Sequence, residues 1–278
     1  MKTLKIIKTV SEMQGYVKSL KKANKIGFVP TMGYLHKGHL SLVEKSIKEN
    51  DITIVSIFVN PLQFGKNEDL DKYPRDFERD QNLLSAQGVD VIFFPDFEEI
   101  YPEGYKTFVE VKNIGKLYCG ATRSNHFKGV TTIVLKLINI INPDFMYMGE
   151  KDFQQVFILQ QMIKDLNLSV KIVRCPIIRE PDGLAMSSRN AYLNGMERKN
   201  ATCLYNSLIL AKNSIKIGEF DPENIRKKMI QLIEKNGGVV EYIAFINKDT
   251  FKVEKKVLEK TKILLAVRIG KTRLIDNG

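Results

Sequence analysis

Ile52-Thr53-Ile54-Val55-Ser56-Ile57-Phe58-Val59 is a continuous β-branched and apolar run. A strand of that kind needs cover on both faces, so it belongs near the centre of a parallel sheet. Four more apolar runs punctuate the chain: Ile26 to Val29, Val91 to Phe94, Phe145 to Met148 and Val170 to Val173. Between them lie helical patterns. Leu40, Val43 and Ile47 share one face, Asp76 to Gln87 is closed by Gly88, and Asn125 opens a helix to about Ile141. Phe153, Val156, Leu159 (or Gln160) and Ile163 share another face. Strands alternating with helices predict an α/β fold: a doubly wound (Rossmann-like) parallel sheet with right-handed crossovers. The remaining stretches read as a short basic helix within Lys5 to Lys25, a charged loop over Asp69 to Arg75 and an edge strand over Lys106 to Val111. Cys119 to Ser124 reads as loop.

Around Arg174 to Pro181 the pattern breaks. Two amphipathic helices follow, Glu197 to about Ile217 and Pro222 to Asn236. Short strands over Glu241 to Ile246, Lys262 to Val267 and Thr272 to Ile275 then come without helical crossovers. The expectation is a large domain over residues 1–176 and a second, smaller α+β C-terminal domain over 177–278 with an antiparallel sheet.

Composition narrows the functional classes. Hydrophobic residues make up 44% and charged residues 27% of 278, enough for a sizeable core under a solvated surface. Met1 to Lys8 is broken by lysines and builds no signal-peptide core. No run approaches the ~20 apolar residues of a membrane helix. Cys119, Cys175 and Cys203 are odd in number and widely separated, which predicts a cytoplasmic protein without disulfides or structural zinc. The net charge of +11 raises the question of nucleic acid. The lysines are spread, however, with no arginine-rich tract or aromatic–basic interleaving. The expectation is no nucleic-acid partner and no membrane partner, with some basic charge serving anionic substrates.

The chemistry concentrates in Pro30-Thr31-Met32-Gly33-Tyr34-Leu35-His36-Lys37-Gly38-His39, which reads as strand, glycine turn and helix start. The chain has three histidines, and two sit here three residues apart, facing the same way. A helix N-terminus with free N–H groups suits phosphate, and imidazoles there can donate to phosphate oxygens as charge builds in a transition state. A turn with two surface histidines is the plainer alternative. Asn60-Pro61-Leu62-Gln63 ends the central strand, where ligands of parallel sheets collect, although Asn-Pro is also a common strand terminator and Gln63 could be plain loop. Gly149-Glu150-Lys151-Asp152-Phe153-Gln154-Gln155 repeats the strand–turn–helix arrangement, although Asp152 also suits a helix start for its dipole. Met186-Ser187-Ser188-Arg189-Asn190 offers two hydroxyls and a guanidinium to a polyphosphate, or equally a helix cap. His126 opens a helix and reads as structural or substrate-adjacent. Arg123 before it is a candidate anion contact.

The stretch Pro30 to His39 resembles the HIGH signature of the nucleotidylyltransferase and class I aminoacyl-tRNA synthetase superfamily. In its longer form it resembles the pantoate–β-alanine ligase (pantothenate synthetase) family, as do Asn60 to Gln63, Gly149 to Gln155, Met186 to Arg189 and the closing Gly270 to Asn277. Asn247 departs from it, where an aspartate is expected. The resemblance implies ligation of pantoate to β-alanine through a pantoyl adenylate, with ATP and Mg²⁺, in a homodimer. It implies His39, His36 and Arg189 as catalytic, with Met32, Gly33, Tyr34, Leu35, Lys37, Gly38, Gly149, Glu150, Lys151, Asp152, Ile178, Met186, Ser187 and Ser188 also at ATP. Gln63 would bind pantoate and β-alanine, Gln155 pantoate, and Asn60 substrate, with no protein metal site. A nucleotidylyltransferase for a phosphorylated substrate would instead want cations where Asn60 and Gln63 stand. An RNA-binding relative would want a module for which the residues after Gly195 are too few.

Overall fold

A computed structural model of the chain describes residues 4–20, 24–65 and 68–278. Its elements begin with β1 (Lys5–Ile7), α1 (Val10–Leu20), β2 (Ile26–Thr31), α2 (Lys37–Glu49), β3 (Ile52–Ile57), α3 (Phe77–Gln87) and β4 (Val91–Phe93). Single-turn helices α4 (Phe97–Ile100) and α5 (Cys119–Thr122) precede α6 (His126–Ile141), β5 (Phe145–Gly149), α7 (Phe153–Asp165) and β6 (Lys171–Cys175). After them come α8 (Gly195–Asn200), α9 (Cys203–Lys216), α10 (Pro222–Lys235), β7 (Gly238–Asn247), β8 (Thr261–Ile269) and β9 (Thr272–Asn277). Two compact units emerge: Met1–Glu150 with Gln154–Pro176, and Lys151–Phe153 with Ile177–Gly278. No helix among the described residues is long and apolar enough to cross a membrane.

The first unit is a six-stranded sheet of order β1-β4-β3-β2-β5-β6, and every pairing in it is parallel. The side-chain period of two divides each strand between two cores. Phe28, Ile54, Phe93 and Met146 join Met13 and Val17 of α1, Leu137 of α6 and Leu159 of α7. Val29, Val55, Ile92 and Tyr147 join Leu42 and Val43 of α2 and Leu84 of α3. Helices thus cover both faces, which is why these strands read as unbroken apolar runs. Helices α1, α6 and α7 share one of these cores, and α2 and α3 the other.

Three sequence expectations are corrected. Lys106 to Val111 is not an edge strand: Val109 N donates to Thr132 Oγ1 (3.0 Å), and Thr131 Oγ1 donates to Val109 O (2.6 Å). Helix α6 therefore satisfies this backbone, and the alternation reflects packing on a helix. Cys119 to Ser124 holds the turn of α5 rather than loop alone. The helix expected from Glu197 to Ile217 is two helices, α8 and α9, joined through Ala201 (φ −59°, ψ −23°) and Thr202 (φ −61°, ψ −16°). Those near-helical angles carry the apolar spacing across the break. Within Lys5 to Lys25, α1 forms over Val10–Leu20; residues 1–3 and 21–23 lie outside the described residues.

The second unit is the antiparallel sheet β7-β8-β9, with pairs such as Ala244↔Leu264 and Val267↔Leu274. Leu204 and Ala211 of α9 and Ile225, Met229 and Ile233 of α10 bury Phe245, Leu265 and Val267 of the sheet. The absence of crossovers in the sequence translates directly into hairpin pairing here.

Candidate active site

Strands β2 and β5 are neighbours whose chains lead away in opposite directions, β2 through α2 to β3 and β5 through α7 to β6. At such a reversal the strand ends part and leave a crevice beyond their carboxyl ends. The turn before α2 and the start of Gly149–Glu150 both leave the sheet at this point.

The turn after β2 is held in a demanding shape. Gly33 has φ 82° and Tyr34 φ 51°, so two successive residues are left-handed. Gly33 tolerates this freely, whereas Tyr34 needs support from outside the turn. Asp80 of α3 supplies it, accepting from Tyr34 N (2.6 Å) and Leu35 N (2.7 Å) with 1% of its surface exposed. Arg79 Nη2 donates to Leu35 O (2.9 Å), and its guanidinium lies over the Tyr34 ring. Burial pushes the Asp80 carboxyl above the ordinary range, and the Leu35 and Tyr34 amides offset only part of that rise. Leu35 is fully buried in the core, so only its backbone faces the turn.

His36 caps α2. Its Nδ1 accepts from Gly38 N (3.1 Å), and His39 Nδ1 accepts from His36 N (3.4 Å), a reciprocal capping box built from imidazoles. A nitrogen that accepts carries no proton, so the neutral ring bears its hydrogen on Nε2. The ring centroids are 4.0 Å apart at 32°. The fold thus presents two Nε2–H donors side by side at the positive end of a helix. Lys37 is exposed beside them.

Gln63 ends a 3-10 turn over Pro61–Gln63, and its Nε2 reaches Met32 Sδ (2.9 Å), which joins the turns after β2 and β3. Asn60 stands behind it, 1% exposed. Its Nδ2 donates to Gln63 Oε1 (3.3 Å) and Gly129 O (3.1 Å), and its Oδ1 accepts from Tyr101 Oη (3.0 Å). Asn60 shapes the turn that carries Gln63. Gln155 is half-buried on the first turn of α7. Its neighbour Gln154 is buried and spends its amide on Cys119 N, Ile114 O and Leu117 O. Glu150 pairs with Arg174 of β6 at 3.1 Å. Arg123 is committed to an ion pair with Glu68.

In the second unit, Met186 N donates to Ile178 O (3.0 Å), which brings these two predicted ATP residues together. Ser187 caps a 3-10 turn over Ser188–Tyr192 and accepts from Arg189 N (3.3 Å). Ser188 is buried and Arg189 half-exposed. Arg179 steadies the approach to this turn. It donates to both Asp276 carboxylate oxygens (2.7 and 2.9 Å) and to Gly183 O (2.9 Å). Asn277 Nδ2 donates to Lys151 O (2.9 Å), and the Lys151 ammonium lies 3.9 Å from Asp152. Asp80 was not singled out by the sequence reading, yet it had a signal. An acid at the i−4 position from buried Leu84 sits on the apolar face of its helix.

The family model for pantoate–β-alanine ligase matches residues 5–278. This chain belongs to that family. It is 57% identical over 274 residues to the pantothenate synthetase of Caldicellulosiruptor bescii, covering 98% of this chain and 97% of that one. A crystal structure of the Thermus thermophilus family member superposes with a TM-score of 0.93 at 41% identity, covering 99% and 98% of the two chains. The Francisella tularensis ligase, solved in complex with β-γ ATP and β-alanine, has a TM-score of 0.85 at 39% identity, over 99% and 97%. The family fold is the one described above, a parallel sheet wound on both faces followed by a small antiparallel sheet.

Proposed function

We propose that the enzyme joins pantoate to β-alanine in two steps at the cost of ATP. The observation that carries this reading is the imidazole pair at the start of α2, with Gln63 hydrogen-bonded to the same turn through Met32. The pair suits a phosphate, and the amide suits a neutral grip on a hydroxy acid.

The pantoate carboxylate attacks the α-phosphorus of ATP, and pyrophosphate leaves with the electron pair of the broken P–O bond. The β-alanine amine then attacks the acyl carbon of pantoyl adenylate, AMP departs, and the amine proton passes to solvent. No side-chain nucleophile is required, so the protein's contribution is positioning and charge stabilisation. His36 and His39 donate from Nε2 to phosphate oxygens as charge gathers there, with the backbone of Met32 to His39 as a further partner; in the second unit, Lys151 and Arg189 are of the type that binds phosphate. Gln63 and Gln155 hold pantoate with amides. A cation in their place would pair with the carboxylate and blunt its attack. Among the described residues no group of three His, Cys, Asp or Glu side chains can hold a metal ion. Mg²⁺ would come with ATP, held on its phosphate oxygens, and would supply charge neutralisation there.

Residues 1–176 act in this reading as the nucleotide- and pantoate-binding domain, and 177–278 form the smaller domain that carries the Ser187–Arg189 turn. A homodimer fits the exposed Phe97, Phe108 and Leu117 of the first unit, which a partner would cover. A cytoplasmic setting fits three buried cysteines that form no disulfide. The test is ATP–pyrophosphate exchange. Pantoate alone should support it before β-alanine is added; Gln155→Ala should impair it through pantoate binding, and Gln63→Ala should impair both exchange and capture by β-alanine. An absolute requirement for β-alanine would overturn the adenylate, and turnover with a phosphorylated acceptor instead of pantoate would overturn the substrate.

A further inference from the structure

His126 and Arg123 lie outside the reaction just described, yet they end on it. His126 is 8% exposed at the first residue of α6. Its Nδ1 lies 2.8 Å from the carbonyl oxygen of Gln63, and its Nε2 lies 2.9 Å from Arg123 Nη1. A carbonyl can only accept and a guanidinium can only donate, so the ring has one consistent state in this network. It is neutral, with its hydrogen on Nδ1 donated to Gln63 and Nε2 accepting from Arg123. That is the opposite tautomer to His36 and His39. Arg123 is fixed in turn by Glu68, whose two oxygens each lie 3.0 Å from Arg123 Nε. Arg123 Nη2 also reaches the Gln63 carbonyl at 3.4 Å.

The same helix start meets the Gln63 turn a second way. A Cβ on Gly129 would lie 2.4 Å from Leu62 O and 2.6 Å from Gln63 N, and Asn60 donates to the Gly129 carbonyl. The backbone of Gln63 is therefore clamped between the sheet and α6, and its side chain projects from a fixed base toward Met32.

We propose that His126, held in its Nδ1–H form by Arg123 and Glu68, is a positioning residue for Gln63 and through it for pantoate. The proposal rests on Gln63 binding pantoate, as set out above. It differs from reading Arg123 as an anion contact, because its guanidinium is spent on Glu68 and the histidine. It also explains a histidine at a helix start with no phosphate role: the ring is a spacer with a donor on one edge and an acceptor on the other.

Asparagine and glutamine separate the two ring nitrogens, since the Asn amide nitrogen falls near the Nδ1 position and the Gln amide nitrogen near Nε2. Calorimetric pantoate binding and pyrophosphate exchange are measured for His126→Asn, His126→Gln and His126→Ala, with ATP binding as the control. His126→Ala should weaken pantoate about tenfold, because the Gln63 carbonyl loses its short hydrogen bond and keeps only the 3.4 Å contact from Arg123 Nη2. His126→Asn should recover most of that loss and His126→Gln little, with ATP affinity unchanged in all three. In a Gln63→Ala background, His126→Ala should add no further loss. Equal effects of Asn and Gln, a parallel loss of ATP binding, or full additivity with Gln63→Ala would each overturn the positioning role. Normal pantoate binding by Gln63→Ala itself would instead remove the Gln63 assignment, and this one with it. If His126→Ala does not fold, the Asn–Gln comparison decides alone.

Discussion

Two kinds of histidine border the turns after β2 and β3, and their neighbours decide which is which. His36 and His39 turn Nδ1 to backbone amides and so present Nε2–H. Replacing His39 by alanine should lower pyrophosphate exchange about 10²–10³-fold, as for other preorganised donors, with a similar or smaller effect for His36→Ala. Circular dichroism should show the fold intact, because the cap contributes only ~1 kcal/mol. Near-normal exchange would refute the role. Asp80 acts one layer below. Asp80→Asn keeps the shape but sets an NH₂ group against amide donors, so one of two buried N–H groups loses its acceptor. Stability should fall by about 1–3 kcal/mol in a denaturant titration. Exchange should fall further than that loss explains, because Tyr34 then relaxes from φ 51° and shifts the residue before His36. An exchange rate that follows the folded fraction alone would make Asp80 purely structural. The histidines were legible because their type and spacing carry chemistry. Asp80 was not, because its meaning comes from amides more than forty residues away in sequence.

At the scale of elements, the contact of α6 with the Pro61–Gln63 turn makes a prediction opposite to helix propensity. Alanine in place of a helical glycine ordinarily adds up to ~1 kcal/mol of stability. At Gly129 the new Cβ would meet backbone atoms of Leu62 and Gln63 inside 2.7 Å, and backbone cannot swing aside as a side chain would. Overpacking of about 1–3 kcal/mol should win. Gly129→Ala should melt lower than the parent and bind pantoate more weakly, while Gly15→Ala in α1, with nothing within 4 Å, should be neutral or stabilising. A stabilised Gly129→Ala would show that the turn can yield. The strands were readable because both faces of the sheet are covered, which leaves unbroken apolar runs such as Val91–Phe93. Lys106 to Val111 misled for a related reason: a segment lying on a helix buries alternate residues as an edge strand does, and only its threonine partners distinguish the two. The junction of α8 and α9 was hidden because Ala201 and Thr202 keep angles close to helical.

At the scale of the molecule, the charge of +11 asks whether the surface reads nucleic acid. A nucleic-acid face gathers cations of one sign into a stripe, with planar side chains between them to stack on bases. Here the basic groups are repeatedly answered by nearby acids: Lys45 by Glu49, Lys48 by Glu44, Lys260 by Asp249 and Arg198 by Asp182. Among the aromatic groups that meet cations, Tyr101 and Tyr105, both beneath Lys136, pack within the first unit rather than forming an open platform. Exposed pairs of this kind contribute little to stability, yet they break up the field a polyanion would follow. What attraction remains should come from phosphates alone. Binding to duplex DNA or to RNA should be weak at about 50 mM salt, indifferent to sequence, and lost by about 200 mM, since releasing counterions from 6–10 phosphate contacts costs ~10³–10⁵ in affinity over that range. Fluorescence anisotropy with two unrelated sequences of each polymer, titrated across those salt concentrations, measures both dependences. Sequence-selective binding that survives the higher salt would mean that the basic surface is a built site and that small substrates are only part of what this protein recognises.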